Sequence, residues 1–292
     1  MLLPILVFAQ AENQFNGINL KESLETVQGK LSSIVGCSEL IQVDEPVFPL
    51  AKETEQHQIC TDIKTETGAI SRAVFTFSDD QLTYIQALGN VEKSLVTKLA
   101  DTAIQYIGYD VYQKQKLFIN KEKDAAWIMT DEAWHPHLFV WENPHLKTGV
   151  NEEELTNTGR VPSFLKMGAT FDELQASMEA NSTFTIREEL DGSDPNAQYQ
   201  INCFGVNYLG FPRKVEARFG DDILKVVWIL TGKGEEDRVR QALLAQYGPP
   251  VFTDENWEIY NDWQVGLRKD KPEVLLMEQK LGQVYKKEYF KQ

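Results

Sequence analysis

The chain has 292 residues, of which 42% are hydrophobic and 25% charged, which is typical of a globular protein of roughly two domains. Its 29 Lys and Arg residues are outnumbered by 44 Asp and Glu residues, leaving a formal net charge of -15. An acidic surface repels phosphate backbones and anionic lipid headgroups, and no local basic patch breaks this balance, so the composition argues against nucleic acid as a partner.

The chain begins with an apolar stretch. Residues 1–11 read MLLPILVFAQA and end in an Ala-x-Ala site, which predicts a signal peptide cleaved before Glu12. The stretch lacks a basic n-region, and a buried N-terminal strand is the alternative interpretation. No other apolar run in the sequence approaches the ~20 residues of a membrane helix. We therefore expect a periplasmic or secreted protein with no membrane span after signal cleavage.

A capping-box pattern predicts the first helix of each half of the chain. Asn19 is followed three residues later by Glu22, and Thr170 is followed at the same spacing by Glu173. In such a pair the two side chains satisfy backbone donors at the helix N-terminus reciprocally. The shared pattern is a first indication that the chain contains two copies of one unit.

A hairpin motif supports the duplication. The segment Phe77-Ser78-Asp79-Asp80-Gln81-Leu82 recurs as Phe219-Gly220-Asp221-Asp222-Ile223-Leu224, at a constant offset of 219 − 77 = 142. Alternate residues before each turn are apolar, as in a strand with one buried face. Aspartates tolerate tight turns and hydrogen-bond their own backbone, so we interpret both Asp pairs as turns and not as catalytic carboxylates.

A second helix is predicted in each copy after the hairpin. In the first copy it runs from about Val91 to Ile107, with Leu95, Leu99 and Ala103 on one face. In the second copy it runs from Glu235 to Tyr247 and ends at Gly248-Pro249. Each copy thus reads as helix, strands with the hairpin, helix, strands.

Tryptophans mark the closing strands of each copy. We match Trp127 with Trp257, Trp134 with Trp263, and the run Leu138–Trp141 with Val274–Met277. Large aromatic side chains usually fill a core, and we favour that interpretation. The alternative is an exposed aromatic face, including Trp141, that binds a partner.

Together these patterns predict an α+β protein of two similar tandem domains, each a mostly antiparallel sheet with helices packed on one face. The first domain spans residues 12–145 and the second spans 160–292, with a polar linker at 146–159. The second domain ends in a basic and aromatic tail that we expect to form a short helix. One continuous sheet shared by both copies is the alternative.

Three cysteines predict one disulfide in an oxidising compartment. Cys60 and Cys203 lie 77 − 60 = 17 and 219 − 203 = 16 residues before the matched phenylalanines, so they occupy equivalent places. Cys37 lies where the first copy is longer and has no counterpart. We predict a Cys37–Cys60 bridge, and we predict that Cys203 is a buried, inert thiol.

Histidines form the densest candidate for chemistry. His135 and His137 would point to one face of a strand, and His145 could complete a zinc site. Pro136 interrupts that strand, and we favour surface histidines near the domain boundary. The sequence contains no nucleophile elbow and no Gly-rich phosphate loop, so we predict no catalytic residue and no cofactor.

The Asp-turn hairpin, the helix that ends at Tyr247-Gly248-Pro249 and the strands at Trp257 and Trp263 resemble uncharacterised bacterial exported repeat domains. Over most of residues 19–278 the organisation is similar to that of the beta-lactamase inhibitor proteins, in which helices cover one face of antiparallel sheets and the other face grips an enzyme. Here, however, strands separate the two helices of each unit. The resemblance assigns no functional residue.

Export, duplication, acidity and the lack of a catalytic motif predict an exported, non-catalytic binding or inhibitory protein. Its partner would be another protein or a component of the cell envelope, contacted through outward hairpin residues and exposed tryptophans. The alternative is a metal-assisted periplasmic hydrolase that uses His135, His137 and His145.

Overall fold

The computed structural model describes residues 15, 17–33, 37–96, 99, 101–134, 141–146, 160–271 and 273–291. The chain forms two compact units, each with its own eight-stranded antiparallel sheet. This confirms the predicted α+β fold of two similar tandem domains, and the alternative of one shared sheet is wrong. The predicted signal peptide lies outside the described residues, and so does the predicted linker apart from its first residue, Leu146, which is buried. Val47–Lys52 and Trp141, although they precede the second copy in sequence, pack within the second unit.

In its described residues the first unit contains two α-helices and eight strands. Their bounds are α1 (Leu24–Leu31), β1 (Cys37–Val43), β2 (Glu55–Thr65), β3 (Gly68–Ser78), β4 (Gln81–Leu88), α2 (Val91–Leu95), β5 (Ile104–Tyr106), β6 (Tyr109–Tyr112), β7 (Leu117–Asn120) and β8 (Ala125–Met129). The strands lie in the order β1-β2-β3-β4-β8-β7-β6-β5. Val27 and Leu31 of α1 pack with Phe75 and Phe77 of β3 in one apolar core.

The second unit repeats this plan and adds a third helix. Its elements are α3 (Phe171–Ala180), β9 (Phe184–Glu189), β10 (Tyr199–Tyr208), β11 (Phe211–Gly220), β12 (Ile223–Leu230), α4 (Glu236–Tyr247), β13 (Phe252–Thr253), β14 (Trp257–Tyr260), β15 (Val265–Arg268), β16 (Glu273–Met277) and α5 (Gln279–Glu288). The strand order, β9-β10-β11-β12-β16-β15-β14-β13, is the same as in the first sheet.

The hairpins of the two sheets agree residue by residue. Asp79 and Asp80 have φ values of 50° and 61°, and Asp221 and Asp222 have 52° and 61°. Two consecutive left-handed residues are the signature of a type I′ turn, whose twist matches that of the flanking strands. The predicted Asp turns are therefore confirmed in both copies.

Helix α1 begins later than the sequence predicts. Ser23 is its N-cap, with a hydroxyl that accepts from Thr26 N, whereas Lys21 has a left-handed φ of 71°. Asn19 donates to Glu22 across the turn that precedes the helix. The pairing of Asn19 with Glu22 is real, but it stabilises a turn, so the predicted start at Asn19 is wrong. In the second copy, Thr170 and Glu173 form the predicted capping box at α3.

Helix α2 is shorter than the predicted helix at 91–107. It ends at Leu95, and Ile104–Tyr106 forms strand β5. Ile107 and Gly108 both have positive φ, 45° and 79°, so the glycine that resembles a helix stop lies in a hairpin turn between β5 and β6. Leu95, Leu99 and Ala103 are four residues apart, which is the spacing of one face of a helix. All three pack against the core, but the helix ends at Leu95. In the second copy α4 ends at Tyr247, as predicted.

The predicted match of tryptophans between the copies is wrong. Trp127 on β8 lies opposite Gln86, and Leu275 on β16 lies opposite Trp228, where 228 − 86 = 142. Leu275 is therefore the counterpart of Trp127. Trp257 lies on β14, the counterpart of β6. By the same register the run Val274–Met277 corresponds to Ala126–Met129 and not to residues 138–141.

Helix α5 lies on the opposite face of the second sheet from α3 and α4. Leu281 packs with Val226 and Leu275, whose side chains alternate with those of the main core along their strands. The side chain of Glu278 caps the helix by accepting from Lys280 N and Leu281 N. The predicted helical tail is thus confirmed.

Candidate functional site

The disulfide links the edge strand of the first sheet to its neighbour. Cys37 on β1 lies opposite Cys60 on β2 and is bonded to it, as predicted, with 4.3 Å between the Cα atoms. Cys203 is buried and free. Burial raises the pKa of its thiol to about 11, so the thiol stays protonated and is a poor nucleophile.

The tryptophans belong mainly to the packed interior. Trp127, Trp141 and Trp263 are buried, so they form no exposed aromatic contact face. Trp134 is half-buried, with its ring centroid 4.7 Å from that of Phe118. Trp257 is half-buried as well and contacts the rings of Trp228 and Phe290. For the three buried tryptophans the hypothesis of a contact surface is wrong, because their side chains fill cores.

His145 is buried and is therefore not the surface histidine that we expected. Its ring centroid lies 4.7 Å from that of His57. Burial and the nearby His57 lower the pKa of His145 to about 4, so its ring is neutral at pH 7. His135 and His137 lie outside the described residues. Within the described part of the chain, no group of three His, Cys, Asp or Glu side chains could hold a metal ion.

Around His57 lies a polar cluster that the sequence analysis missed. His57 Nε2 contacts Glu55 Oε1 at 2.8 Å, and His57 Nδ1 contacts Thr76 Oγ1 at 3.0 Å. Asn143 Nδ2 donates to Thr76 Oγ1 at 2.9 Å. A carboxylate, an imidazole and a hydroxyl in a row are the components of a nucleophilic triad. In the sequence, the cluster is indicated only by Glu55 and His57, which lie two residues apart and so face the same side of β2.

This cluster is closed to substrate. Glu55, His57 and Asn143 are 1% exposed, and Thr76 is 0% exposed. Substrate must come within hydrogen-bonding distance of a catalytic base. The arrangement therefore has the geometry of a triad without the access, and it acts as a satisfied polar core.

The second sheet is also polar at the equivalent positions, with different residues. Gln200 lies opposite Arg218, and His57 lies opposite Thr76, with 218 − 76 = 142. Arg218 Nε donates to Gln200 Oε1 at 2.8 Å, and its Nη2 donates to Glu216 at 3.0 Å. The two copies share a polar face but no common chemistry, which argues against a duplicated active site.

The best candidate binding site lies at the edge of the second sheet. Strand β9 ends the sheet and pairs only with β10 among the described strands. Leu190 N donates to Gln198 O, where the chain leaves the ladder. Because hydrogen-bonded positions alternate along an antiparallel pair, the backbone groups of Thr185, Arg187 and Glu189 point away from β10. Among the described residues, no other strand pairs with this outward row of donors and acceptors.

A cavity opens beside this edge, between α3 and β9, with a volume of about 300 Å³. Its lining consists of Phe171, Gln175, Met178, Glu179, Thr185, Arg187 and Ile201. The buried side chains of Met178 and Ile201 supply an apolar floor, while the polar members form the rim. An apolar floor with a polar rim is the usual form of a small binding pocket.

The surroundings of the cavity are acidic. The exposed residues Asp172, Glu173 and Glu179 of α3, with Glu188 and Glu189 of β9, carry five negative charges. Arg187 is the one cation on these two elements, so their sum is 1 − 5 = -4. Arg187 Nε donates to Glu189 at 2.7 Å, and the guanidinium lies 3.8 Å above the ring of Tyr199.

The two copies differ at this edge. Thr185 lies opposite Cys203 in the second sheet, and Cys37 lies opposite Cys60 in the first. Cys60 pairs with Ala73 and Cys203 with Val215, and 215 − 73 = 142, so the two positions are equivalent. Thr185, which lines the cavity of the second copy, therefore corresponds to Cys37 of the first copy, which is bonded to Cys60.

Comparison of the chain with protein-family models, with curated proteins and with solved structures finds no match. Among the described helices, none combines the length and the apolar character that a membrane crossing requires. The geometry of this chain is therefore the basis for a functional assignment.

Proposed function

We propose that this protein is an exported, non-catalytic binding protein that holds another protein or a cell-envelope component through the second repeat. The observation that carries the proposal is the unpaired edge of β9 beside an apolar cavity. Unpaired edges readily accept an additional strand, and native proteins usually cover or block them. An exposed edge next to a cavity is suited to binding an extended segment.

The chemistry of the remaining sites supports binding over catalysis. The Glu55–His57–Thr76 row is closed to substrate, and the Cys203 thiol is buried and protonated. His145, one of the three ligands of the metal-assisted alternative, is packed against His57. The Cys37–Cys60 bridge is compatible with an oxidising, extracytoplasmic compartment.

Capture from an envelope extract tests this function. Immobilised protein would be compared with an Arg187→Pro variant, which removes an outward N–H from the β9 edge. The matched control is Leu40→Pro, because Leu40 on β1 lies opposite Gln58 on β2 just as Arg187 on β9 lies opposite Ile201 on β10. We expect Arg187→Pro alone to lose a partner that wild type retains. Equal capture by all three proteins would reject the β9 edge as the binding element.

A further inference from the structure

We propose that the β9 edge binds an extended, basic peptide segment as an added strand, with one apolar side chain of that segment in the cavity beside Thr185. The inference rests on the proposed binding function and adds the chemistry of the partner. It follows from the direction of the free backbone groups, the position of the cavity and the local charge.

The free backbone groups set the register. A segment added to β9 would hydrogen-bond to Thr185, Arg187 and Glu189, whose donors and acceptors face outward. Residues directly opposite each other in adjacent strands point to the same face of a sheet. Residues of the added segment opposite these three would therefore lie on the face that α3 covers, where the cavity opens.

The cavity selects an apolar residue at one of these positions. Thr185 and Ile201 line its sheet side, and Met178 lines its helix side. A side chain opposite Thr185 enters between β9 and α3 and covers the apolar floor. Removing that floor from water favours Leu, Met or Phe over a polar residue at this position.

The rim selects positive charge. The net charge of -4 on α3 and β9 favours Lys or Arg in the bound segment. Arg187 Nε donates to Oε1 of Glu189, but the Glu189 side chain is 70% exposed, so its carboxylate stays accessible to a second cation. Glu189 lies four residues from Thr185 on the same side of the strand. A basic residue opposite Glu189 is thus four residues from the apolar one.

A second copy of this chain is a poor occupant. Two β9 edges brought together would each bring a β9 strand and an α3 helix with a net charge of -4. Like charges across an interface oppose association. In the first repeat the equivalent place is taken by the Cys37–Cys60 bridge, so the specificity that we infer belongs to the second repeat.

The test measures binding between the full-length protein and a synthetic peptide, Gly-Lys-Thr-Thr-Thr-Phe-Thr-Gly. The peptide carries a fluorophore at its N-terminus. Lys and Phe lie four residues apart in this probe, so an antiparallel strand places them opposite Glu189 and Thr185. Fluorescence anisotropy would measure the dissociation constant. Amide chemical shifts in ¹⁵N-labelled protein would locate the peptide.

Three control peptides separate the contributions. We expect the affinity to fall at least tenfold when Phe is replaced by Ser and when Lys is replaced by Glu, a tenfold change being about 1.4 kcal/mol. We expect the same loss when the backbone nitrogens that face β9 are methylated, because methylation removes the donors. Undiminished binding by the methylated peptide would contradict strand addition.

Protein variants complete the test. Arg187→Pro should abolish binding, whereas Arg187→Ala, which retains the backbone N–H and removes a positive charge, should bind at least as well as wild type. Leu40→Pro should bind as wild type does, and circular dichroism would verify that each variant is folded. Shifts at Thr185, Arg187 and Glu189 amides support the site, and shifts confined to other strands overturn it.

The outcomes distinguish this inference from the proposed function. If no peptide binds at about 1 mM while capture from extract still depends on Arg187→Pro, the basic-peptide inference fails and the binding function stands. If sedimentation shows a dimer that Arg187→Pro dissociates, a second copy is the occupant and the inference is overturned.

Discussion

His145 couples the stability of the first repeat to pH. Burial first, and then the electrostatic effect of the nearby His57, lower the pKa of His145 to about 4 from an ordinary 6.5. Because the folded pKa is below the unfolded one, unfolding takes up a proton between these values. The stabilisation is complete above pH 6.5 and is lost as the pH falls toward 4. At about 1.4 kcal/mol per pKa unit, the loss is about 3 kcal/mol.

We therefore predict that His145→Phe, which retains a ring beside His57, flattens the dependence of unfolding free energy on pH between 6.5 and 4. Urea unfolding at a series of pH values measures this dependence. Among the described residues, the charged or titratable groups that act on His145 are Glu55 and His57 on β2 and Arg72 on β3, whose Nη2 donates to the His145 carbonyl. An unchanged pH slope in the variant would assign the acid sensitivity to those groups.

Thr185 is one substitution from a second disulfide. Thr185 lies opposite Cys203 in the second sheet, as Cys37 lies opposite Cys60 in the first. We predict that Thr185→Cys forms a bridge to Cys203 under oxidation, which peptide mapping by mass spectrometry would detect. The bridge should stabilise the second repeat on the order of 3 kcal/mol by constraining the unfolded chain. A Thr185→Ser control leaves Cys203 as the one free thiol, and a count of two free thiols in oxidised, denatured Thr185→Cys would refute the equivalence.

Residues brought together by strand pairing were the ones that the sequence could not predict. Glu55 and His57 lie two residues apart on one face of β2, whereas Thr76 is brought to them by the pairing of β2 with β3 and Asn143 by the return of the chain after β8. Their spacing in sequence carries no motif. The Cys37–Cys60 pair was predictable because the repeat offset identified which cysteine lacks a counterpart.

Among the elements, the two Asp turns differ in the hydrogen bonds that the first Asp side chain accepts. Asp79 Oδ1 accepts from Glu53 N at 2.8 Å and from Thr54 N at 3.0 Å, which ties the start of β2 to the hairpin. Asp221 Oδ1 has a longer contact of 3.3 Å with Gln198 Nε2. Hydrogen bonds to a charged acceptor contribute more than neutral ones.

We predict that Asp79→Ala destabilises the protein by about 1–2 kcal/mol more than Asp221→Ala does. Both substitutions place alanine at a positive φ, so that conformational cost cancels in the comparison. Thermal or urea unfolding of the two variants provides the measurement. Equal destabilisation would mean that the Asp79 carboxylate contributes little beyond the turn itself.

Local turn chemistry made the hairpins and α4 predictable, whereas long-range pairing made other elements unpredictable. The Asp-Asp turns and the Gly248 stop act within a few residues. The segment after α2 has helical spacing at Leu95, Leu99 and Ala103, yet all three pack against the first core with only Leu95 in the helix. The match of Trp127 with Trp257 failed because β8 pairs with β4, which sequence order does not reveal.

In the whole molecule, the two repeats should respond differently to reduction. The bridge lies entirely in the first unit, and the second contains a free thiol. We predict that dithiothreitol lowers the stability of the first repeat by on the order of 3 kcal/mol and leaves the second repeat unchanged. Calorimetry should show one transition moving to lower temperature. A Cys37→Ser and Cys60→Ser double variant is the control, and it should not respond to the reductant.

The identical strand order of the two sheets creates an ambiguity for the unfolded chain. Each strand has a counterpart at the same place in the other sheet, so β1 has two possible neighbours, β2 and β10. Because Cys60 and Cys203 share one register position, a strand exchanged between the copies would place Cys37 beside Cys203. A Cys37–Cys203 bridge would therefore identify a chain in which β1 had paired with the wrong sheet. The native Cys37–Cys60 bridge instead links β1 covalently to its correct neighbour, β2.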